Sequence, residues 1–528
     1  MEEQASQDLS GSIATIDWAV IALYFLVVIG IGVWVARKTK SGEDLFLAGR
    51  GLTWGIIGFS LFASNISSTT LIGLTGAAYS TGISVSAYEW MAGVPLILMA
   101  LIFAPIFLKS RITTIPEYLE LRFNRPSRLY FSAVTIILTI VVDTAGGLYA
   151  GAVVTRAFLP DVPIWAICIA IGIFAGLYTA GGGLRAVVLT DVMQAVVLIG
   201  GTAVMTLILF SMNDWSWANV KDNVPAEQMS IVQPRSSEIL PWPGLIFGVP
   251  ILGFWYWVTN QYIVQRVLGA RSLRDAQGGA LLGGFLKILP MFVMVLPGAM
   301  AVAVLPELGN PDQVFPTLVA NVLPVGLRGL VLAGLVAAIM SSVDSTLNSA
   351  STLVVHDFVR TKERNLSSEQ TRKWGRMTTL VLMLAAIAWA PLIAQAGGLW
   401  AYLQQAFSIL VPPVVAVFVL GVLWRGATAK AAFISLIAGH VIALATFIAT
   451  QFDIWPLHYT VNIGVMTILS MLIMAGLSFV TDRRRDDVED LIWKPGDAVS
   501  EGQRPFSAIL ISAVVLALAM LAILILFW

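Results

Sequence analysis

The sequence has very little charge and almost no cysteine or histidine. Only 12% of its 528 residues are charged, and 31 basic residues balance 31 acidic ones. A net charge of zero gives no argument for a nucleic-acid partner. The lone Cys168 excludes a disulfide or a cysteine-based metal site within one chain. His356, His440 and His458 are scattered, so we interpret each as structural rather than as a ligand or proton relay.

Sequence motifs for nucleotide binding and for enzymatic catalysis are also missing. The sequence contains no Gly-x4-Gly-Lys-Ser/Thr nucleotide loop, so ATP hydrolysis within this chain would not drive any activity. Gly181-Gly-Gly183 followed by Arg185 lacks the lysine and hydroxyl of such a loop, and we interpret it as a flexible turn. No nucleophile–base or metal constellation is evident, which argues against an enzyme.

Hydrophobic residues, in contrast, make up 58% of the chain. A soluble protein of this length has no interior large enough for them, so the excess belongs in a lipid bilayer. Segments of about 20 apolar residues are long enough to span it. We predict an all-α membrane protein with one transmembrane domain over residues 1–528 and fourteen helices, near 14–36, 54–80, 83–108, 129–155, 162–181, 186–211, 242–265, 279–305, 326–355, 377–395, 399–424, 431–450, 457–480 and 505–527.

The loops between these segments differ sharply in charge. Alternate loops, beginning after the first segment, hold 26 of the 31 basic residues, whereas the opposite loops hold 4 and Lys287 lies within a segment. Basic residues are enriched in cytoplasmic loops. Both termini are therefore predicted to lie outside the cytoplasm.

The second segment has a polar centre. In Phe59-Ser-Leu-Phe-Ala-Ser-Asn-Ile-Ser-Ser-Thr-Thr70, the residues from Ser64 to Thr70 place six hydrogen-bonding side chains at the middle of a membrane-length stretch. Such residues can bond neighbouring helices in a bundle. They are also typical of a helix that is broken at mid-membrane and exposes its carbonyl groups to a solute or ion. The rest of the chain favours the broken helix.

Five ionisable residues fall at membrane depth, where they face a cavity or the bundle interior. They are Glu89, Asp143, Asp191, Lys287 and Asp344. Lys287 either snorkels to the cytoplasmic surface or pairs with an acid in a cavity. Glu89 suits a structural ion pair, an interfacial position or a solute site. Paired ammonium and carboxylate groups fit a polyhydroxylated solute, because each hydroxyl both donates and accepts hydrogen bonds.

The ninth segment carries a stripe of small polar residues. Helical spacing aligns Ala338, Ser341, Ser342, Ser345 and Ser349 on one face. This stripe either holds two helices together or supplies hydroxyl ligands to a hard monovalent cation. Asp344 and Asp191 would add a carboxylate. Protons are the alternative coupling ion if one of these acids titrates.

Several longer motifs resemble the sodium:solute symporter family, and within it the bacterial type of sodium/sugar cotransporter. They occur in order through most of the chain. The matching stretches are Asp44-Leu-Phe-Leu-Ala-Gly-Arg50, Ser60-Leu-Phe-Ala-Ser-Asn-Ile-Ser67, Tyr88-Glu-Trp90, Thr114-Ile-Pro-Glu-Tyr-Leu-Glu-Leu-Arg-Phe123, Asn260-Gln-Tyr-Ile-Val-Gln-Arg266, Phe285-Leu-Lys287, Ser341-Ser342 with Leu347-Asn-Ser349, and Pro412-Pro413 before Leu423-Trp424.

This resemblance implies a leucine-transporter-like fold with ten core helices in two inverted five-helix repeats. The repeats would cover residues 54–211 and 242–450, with extra helices at 14–36 and 457–527. The polar stretch would be the break in the first core helix. The family's sodium site would map onto the carbonyls of Ala63, Ile66 and Ala338 and the hydroxyls of Ser341 and Ser342. Asp191 matches a family aspartate near a further sodium or the ion exit path.

The resemblance also implies a sugar site. It points to Glu89, Lys287 and a glutamine, with Gln404 preferred to Gln405. Tyr256 matches an inner-gate aromatic that stacks on the sugar ring, whereas Asn260 belongs to a motif without contacting the sugar.

Three positions depart from the sugar-transporting pattern. Thr70 stands where relatives often have Gln, Asp143 where they have Asn, and Ala92 near a usual Ser. We interpret Asp143 either as a partner of Lys287 that favours another polyol, or as a site for a solute with a cationic group.

The expected function is therefore sodium-coupled import of a small polar solute, most simply a sugar or polyol, across a bacterial plasma (inner) membrane. Its partners would be sodium, the solute and the lipid bilayer. One alternative is a symporter of the same fold for an amino acid, a carboxylate or a vitamin. Another is a transport-fold sensor, which would require a separate signalling partner.

Overall fold

The computed structural model is helical throughout the residues that it describes. These are 9–36, 50–179, 184–305, 308–360, 366–395, 398–452, 454–481, 486–499 and 508–528. Gly181-Gly-Gly183 and the stretch before Arg50 lie outside these ranges, and so do the side chains of Arg185 and Asp191.

Nineteen helices are numbered here in chain order, each under a single label even where its hydrogen-bonding pattern changes along its length. They are α1 (Thr15–Ala36), α2 (Trp54–Asn65), α3 (Ser68–Thr81), α4 (Ile83–Lys109), α5 (Ile115–Arg122), α6 (Arg125–Phe158), α7 (Ile164–Thr179), α8 (Leu184–Ser211), α9 (Trp217–Asn223), α10 (Gly244–Thr259), α11 (Gln261–Leu268), α12 (Leu273–Ala303), α13 (Val314–Val322), α14 (Leu327–Val359), α15 (Ser368–Trp389), α16 (Leu399–Leu423), α17 (Ala429–Gln451), α18 (Tyr459–Val480) and α19 (Ala508–Leu526).

The break predicted in the second segment is present. Helix α2 ends at Asn65, helix α3 begins at Ser68, and the two axes differ by 60°. Ser67 caps α3 by accepting a hydrogen bond from the backbone N–H of Thr70. The Thr70 hydroxyl donates to the Asn65 carbonyl at 2.7 Å, which satisfies a backbone group that the break released from the helix.

A second break separates α10 from α11. The last turn of α10, Trp255–Thr259, is a π-helix, and Asn260 then adopts an extended backbone. The Asn260 side chain caps α11 by accepting from the Tyr262 N–H at 3.3 Å. Single π-helical turns occur frequently at functional sites because they re-aim side chains. The π-helical turn Thr139–Thr144 in α6, which carries Asp143, is another.

Small residues let α12 approach α2 very closely. A methyl group built on Gly279 would lie 2.5 Å from the Ile57 side chain, and one on Gly58 would lie 2.6 Å from Leu282. Close approach of helix backbones through glycine is a usual means of helix association in membranes. This contact carries Lys287, farther along α12, to the end of α2 at Asn65.

Ten of the described helices are long and apolar enough to cross a bilayer, and the bent pair α2 and α3 makes eleven. The other three predicted segments coincide with α1, α7 and α10, which contain the apolar stretches Thr15–Val28, Ile164–Ile173 and Gly244–Thr259. The polytopic helical fold is therefore confirmed, whereas the number fourteen stays a prediction.

Candidate functional site

The two helix breaks face a common cavity of about 120 Å³. Its walls come from α2, α3, α4, α6, α10, α11, α12, α14 and α16, so residues far apart in sequence meet there. The cavity has an apolar wall that includes Trp257, Trp400 and Phe407. Its polar lining includes Ser64, Asn65, Thr70, Glu89, Asp143, Tyr256, Lys287 and Gln404. All six solute-site residues predicted from the sequence thus lie in one cavity.

Lys287 and Glu89 form a buried ion pair in this cavity. The Lys287 ammonium donates to the Glu89 carboxylate and to the Asn65 side-chain oxygen. It also lies 5.6 Å from the centre of the Trp257 ring, within cation–π range. Lys287 is only 1% exposed and Glu89 only 3%. The cavity alternative for Lys287 therefore holds, and snorkelling to the surface does not.

Asp143 is placed differently from the expectation that it pairs with Lys287. The ion pair of Lys287 is with Glu89, and Asp143 remains half-buried on the π-helical turn of α6. It lies close enough to Tyr256 and Tyr262 for electrostatic interaction. The carboxylate is therefore available to whatever occupies the cavity.

The remaining predicted solute contacts divide clearly. Gln404 lines the cavity and is 5% exposed, whereas its neighbour Gln405 is not among the lining residues. Tyr256 lines the cavity with its ring edge-on to the rings of Trp257 and Tyr262. Asn260 serves as a helix cap and is not among the lining residues.

A second, much smaller cavity lies beside the break between α2 and α3. Its volume of about 10 Å³ suits one body the size of a water molecule. Its walls include all five residues predicted for the sodium site, namely Ala63, Ile66, Ala338, Ser341 and Ser342, together with Ser64, Gln194, Tyr262 and Ser345. Backbone carbonyls and hydroxyls are oxygen donors of low charge, as a hard monovalent cation requires.

The two cavities share part of their walls. Ser64, Tyr262 and Ser342 line both of them. The Tyr262 hydroxyl lies 2.5 Å from that of Tyr256, so a hydrogen bond joins the α10 side of the break to the α11 side. An occupant of either cavity therefore touches residues that also contact the other.

Comparison with known proteins agrees with this arrangement. The profile of the sodium:solute symporter family matches residues 45–439. The chain belongs to the sodium:solute symporter family. It is thus a multi-pass membrane transporter rather than an enzyme, and sodium is its coupling ion.

Two relatives of this symporter are cotransporters from Oryctolagus cuniculus. The sodium/glucose cotransporter 1 is 34% identical over 83% of this chain and 72% of its own length. The sodium/myo-inositol cotransporter 2 is 34% identical over 90% and 78%. A substrate-bound, outward-open structure of a Na+-coupled sialic acid symporter superimposes with a TM-score of 0.77 over 89% of this chain and 99% of that one, at 22% identity. At that identity the likeness shows a shared fold.

Sequence reasoning missed two residues of the symporter's smaller cavity. Gln194, on α8, is 5% exposed and lines it. The available signal was an isolated glutamine in an apolar stretch, one helical turn after Asp191. Tyr262 appeared only as part of a motif. Asp344, proposed as a carboxylate ligand, is buried outside the lining of both cavities, and the Asp191 side chain is outside the described part.

Proposed function

We propose that this symporter imports a sugar or polyol together with sodium by alternating access. The main support for this proposal is the larger cavity, where a buried ammonium, carboxylates, a carboxamide and hydroxyls surround a space flanked by aromatic rings. Such a mixture of donors and acceptors suits a solute with many hydroxyl groups. The glucose and myo-inositol cotransporters among the relatives support the same substrate class.

Each predicted residue has a role in this proposal. Sodium binds in the smaller cavity through the carbonyls of Ala63, Ile66 and Ala338 and the hydroxyls of Ser341 and Ser342. Asp191 serves a further sodium or the exit path. The solute contacts Thr70, Glu89, Asp143, Tyr256, Lys287 and Gln404, with the Glu89–Lys287 pair offering both an acceptor and a donor to neighbouring hydroxyls.

The finer architecture belongs to the same proposal. Fourteen helices would include two inverted repeats, over 54–211 and 242–450, whose discontinuous helices are the broken pairs α2–α3 and α10–α11. The uneven distribution of basic residues supports extracytoplasmic termini. The bacterial character of the motifs supports an inner-membrane location.

Coupling follows from linkage between the two cavities. Sodium that orders the shared wall raises the affinity for solute, and solute raises the affinity for sodium by the same factor. A monovalent ion crossing a potential of 100 mV gains about 2.3 kcal/mol from the voltage alone. Together with the sodium concentration gradient, this supports accumulation of a neutral solute.

The test is uptake into proteoliposomes with and without an inward sodium gradient. The labelled panel should include hexoses, amino sugars, inositol, proline and short carboxylates. We expect sodium-dependent uptake of a sugar or polyol. Sodium-dependent uptake of only an amino acid or carboxylate would overturn the solute assignment. A lack of uptake for the whole panel would direct attention to a wider panel and to the sensor alternative.

Changing Tyr262 to Phe is expected to weaken coupling. The ring stays in both walls, but the hydrogen bond to Tyr256 is lost. Coupling between two ligands typically amounts to about 5–150-fold in affinity. We expect Tyr262→Phe to reduce the effect of sodium on solute affinity to within about threefold, measured as solute Kd in sodium and in choline.

Tyr24→Phe is the matched control for this experiment. Tyr24 is a buried tyrosine on α1, its hydroxyl has no hydrogen-bond partner among the described residues, and it lines neither cavity. Its loss should leave the sodium effect unchanged. If Tyr262→Phe retained the full sodium effect, the tyrosine pair would have no part in coupling.

A further inference from the structure

The charges lining the larger cavity do not cancel. Its acidic and basic side chains are Glu89, Asp143 and Lys287. Lys287 pairs with Glu89, and Asn65 accepts another hydrogen bond from the same ammonium. Asp143 is left over, so the described lining has one more acidic than basic side chain.

Two buried aspartates elsewhere in the protein provide a comparison for Asp143. Asp312 accepts hydrogen bonds from the Leu399 backbone at 3.0 Å and from Tyr149 at 3.5 Å. Asp357 accepts from Arg128 at 2.5 Å and from Ser132. Asp143 makes no hydrogen bond or ion pair with any group in the described ranges. Buried charges in proteins are normally paired, and an unpaired one is costly.

The groups that face Asp143 do not supply a countercharge. Tyr256 from α10 and Tyr262 from α11 interact with it electrostatically, but their hydroxyls bond to each other. The cation on α12, Lys287, is held by Glu89 from α4. Ser342 and Thr346 on α14 are neutral members of the same lining. No described side chain therefore offers Asp143 a countercharge, and a cationic group on the solute would supply one.

Two kinds of hydrogen-bond donor on a solute fit a free carboxylate. Hydroxyl groups of a neutral sugar donate to it but leave its charge uncompensated. An ammonium group donates up to three hydrogen bonds and also cancels the charge. The charge balance therefore distinguishes an ammonium-bearing solute from a neutral sugar, although both can donate hydrogen bonds to Asp143.

We propose that Asp143 selects a solute bearing an ammonium group, such as an amino sugar or aminocyclitol, and binds that ammonium directly. This inference rests on the proposed function, because the hydroxyls of the same solute would occupy the Glu89–Lys287 pair and Gln404. Gln404 is also without a hydrogen-bond partner in the described part, and its carboxamide offers both a donor and an acceptor to the sugar.

Matched solute pairs test the proposal in proteoliposomes. Glucosamine, glucose and N-acetylglucosamine each compete with a labelled solute from the uptake panel. The corresponding galactose derivatives are tested in parallel. We expect glucosamine or galactosamine to bind at least tenfold more tightly than its neutral counterpart and than the N-acetyl derivative, which lacks the charge. The preference should fall as external pH rises through the pKa of the amine, because the ammonium is then lost.

Asp143→Asn should remove this preference while the side chain keeps its size. The readout is the ratio of affinities within each pair, so a general loss of folded protein does not change it. Asp312→Asn is the matched control, because it makes the same chemical change outside the cavity lining. Asp312→Asn should change the affinities for both solutes of a pair by the same factor and leave their ratio unchanged.

Three results would overturn the inference. The first is a neutral sugar bound as tightly as its amino counterpart by the unaltered protein. The second is an unchanged ratio in Asp143→Asn. The third is a lowered Hill coefficient for sodium in that variant with the ratio preserved, which would assign the carboxylate to an ion. Sodium-dependent uptake of neutral sugars in these cases would leave the proposed function standing, whereas absent uptake of every sugar and amino sugar would refute both.

Discussion

Replacing Lys287 with methionine is expected to abolish solute uptake and to destabilise the protein. The substitution removes the ammonium that holds Glu89 and Asn65, and it leaves the Glu89 carboxylate buried without a countercharge. Removing one partner of a buried ion pair typically costs about 3–5 kcal/mol. Glu89→Gln should have a similar effect for the complementary reason. Solute binding should fall by at least about 100-fold in either variant if the pair contributes roughly 3 kcal/mol to binding.

The double variant Glu89→Gln with Lys287→Met separates stability from binding. It contains neither charge, so its melting temperature in detergent should recover much of the loss seen in the single variants. Its solute binding should remain absent, because the donor and acceptor for the hydroxyls are both gone. Scintillation proximity binding and fluorescence-detected unfolding measure these two properties independently.

A surface ion pair supplies the control for this cycle. Lys109 lies 2.8 Å from Asp490, and the two side chains are 47% and 83% exposed. Exposed pairs contribute only about 0–1 kcal/mol, so Lys109→Met should bind solute normally. Full uptake by both Glu89→Gln and Lys287→Met would place the solute site elsewhere in the protein.

The polar centre of a membrane-length apolar segment predicted the break between α2 and α3 from the sequence alone. Six hydrogen-bonding side chains at the centre of an apolar segment have few stable arrangements in lipid, and the structure shows the chain leaving the helix at Ile66. The break at Asn260 had no comparable local signal. Only Thr259, Asn260 and Gln261 interrupt the aromatic-rich apolar stretch there, and only the resemblance of the motif to a known family indicated its importance.

The sequence did not determine which side chain forms the ion pair with Lys287. Lys287 and Glu89 are 198 positions apart in the sequence. Lys287 also lies eight residues from the start of the predicted segment 279–305, a position that is equally compatible with snorkelling. The partner of Lys287 depends on how closely α12 approaches α2, which glycine contacts set. For the same reason the sequence allowed Asp143 to pair with Lys287, whereas packing leaves it free.

The helix count shows a related limit. Hydropathy identified an apolar segment at 242–265, but this segment does not coincide with one continuous helix. In α10 a π-helical turn and the break at Asn260 end the helix inside the apolar stretch. Apolar composition thus locates membrane-embedded chain more reliably than it fixes where each helix ends.

Replacing Ser342 with alanine is expected to raise the sodium concentration needed for half-maximal uptake by about tenfold or more. The change deletes a hydroxyl from the wall of the smaller cavity and adds no bulk. Loss of an oxygen ligand worth roughly 1.4 kcal/mol weakens binding tenfold. Because sodium and solute binding are coupled through the shared wall, solute affinity in sodium should fall as well, whereas solute affinity in choline should change little.

Ser349→Ala is the matched control, because it tests the helix-packing interpretation of the same serine stripe. Ser349 is buried on the same face of α14, but it lines neither cavity. If the stripe only packs helices together, both serines should affect folding alike and neither should alter the sodium dependence selectively. If it binds sodium, Ser342→Ala should shift the sodium dependence of uptake in proteoliposomes, and Ser349→Ala should not. An unchanged sodium response in Ser342→Ala would remove this cavity from the proposed sodium site.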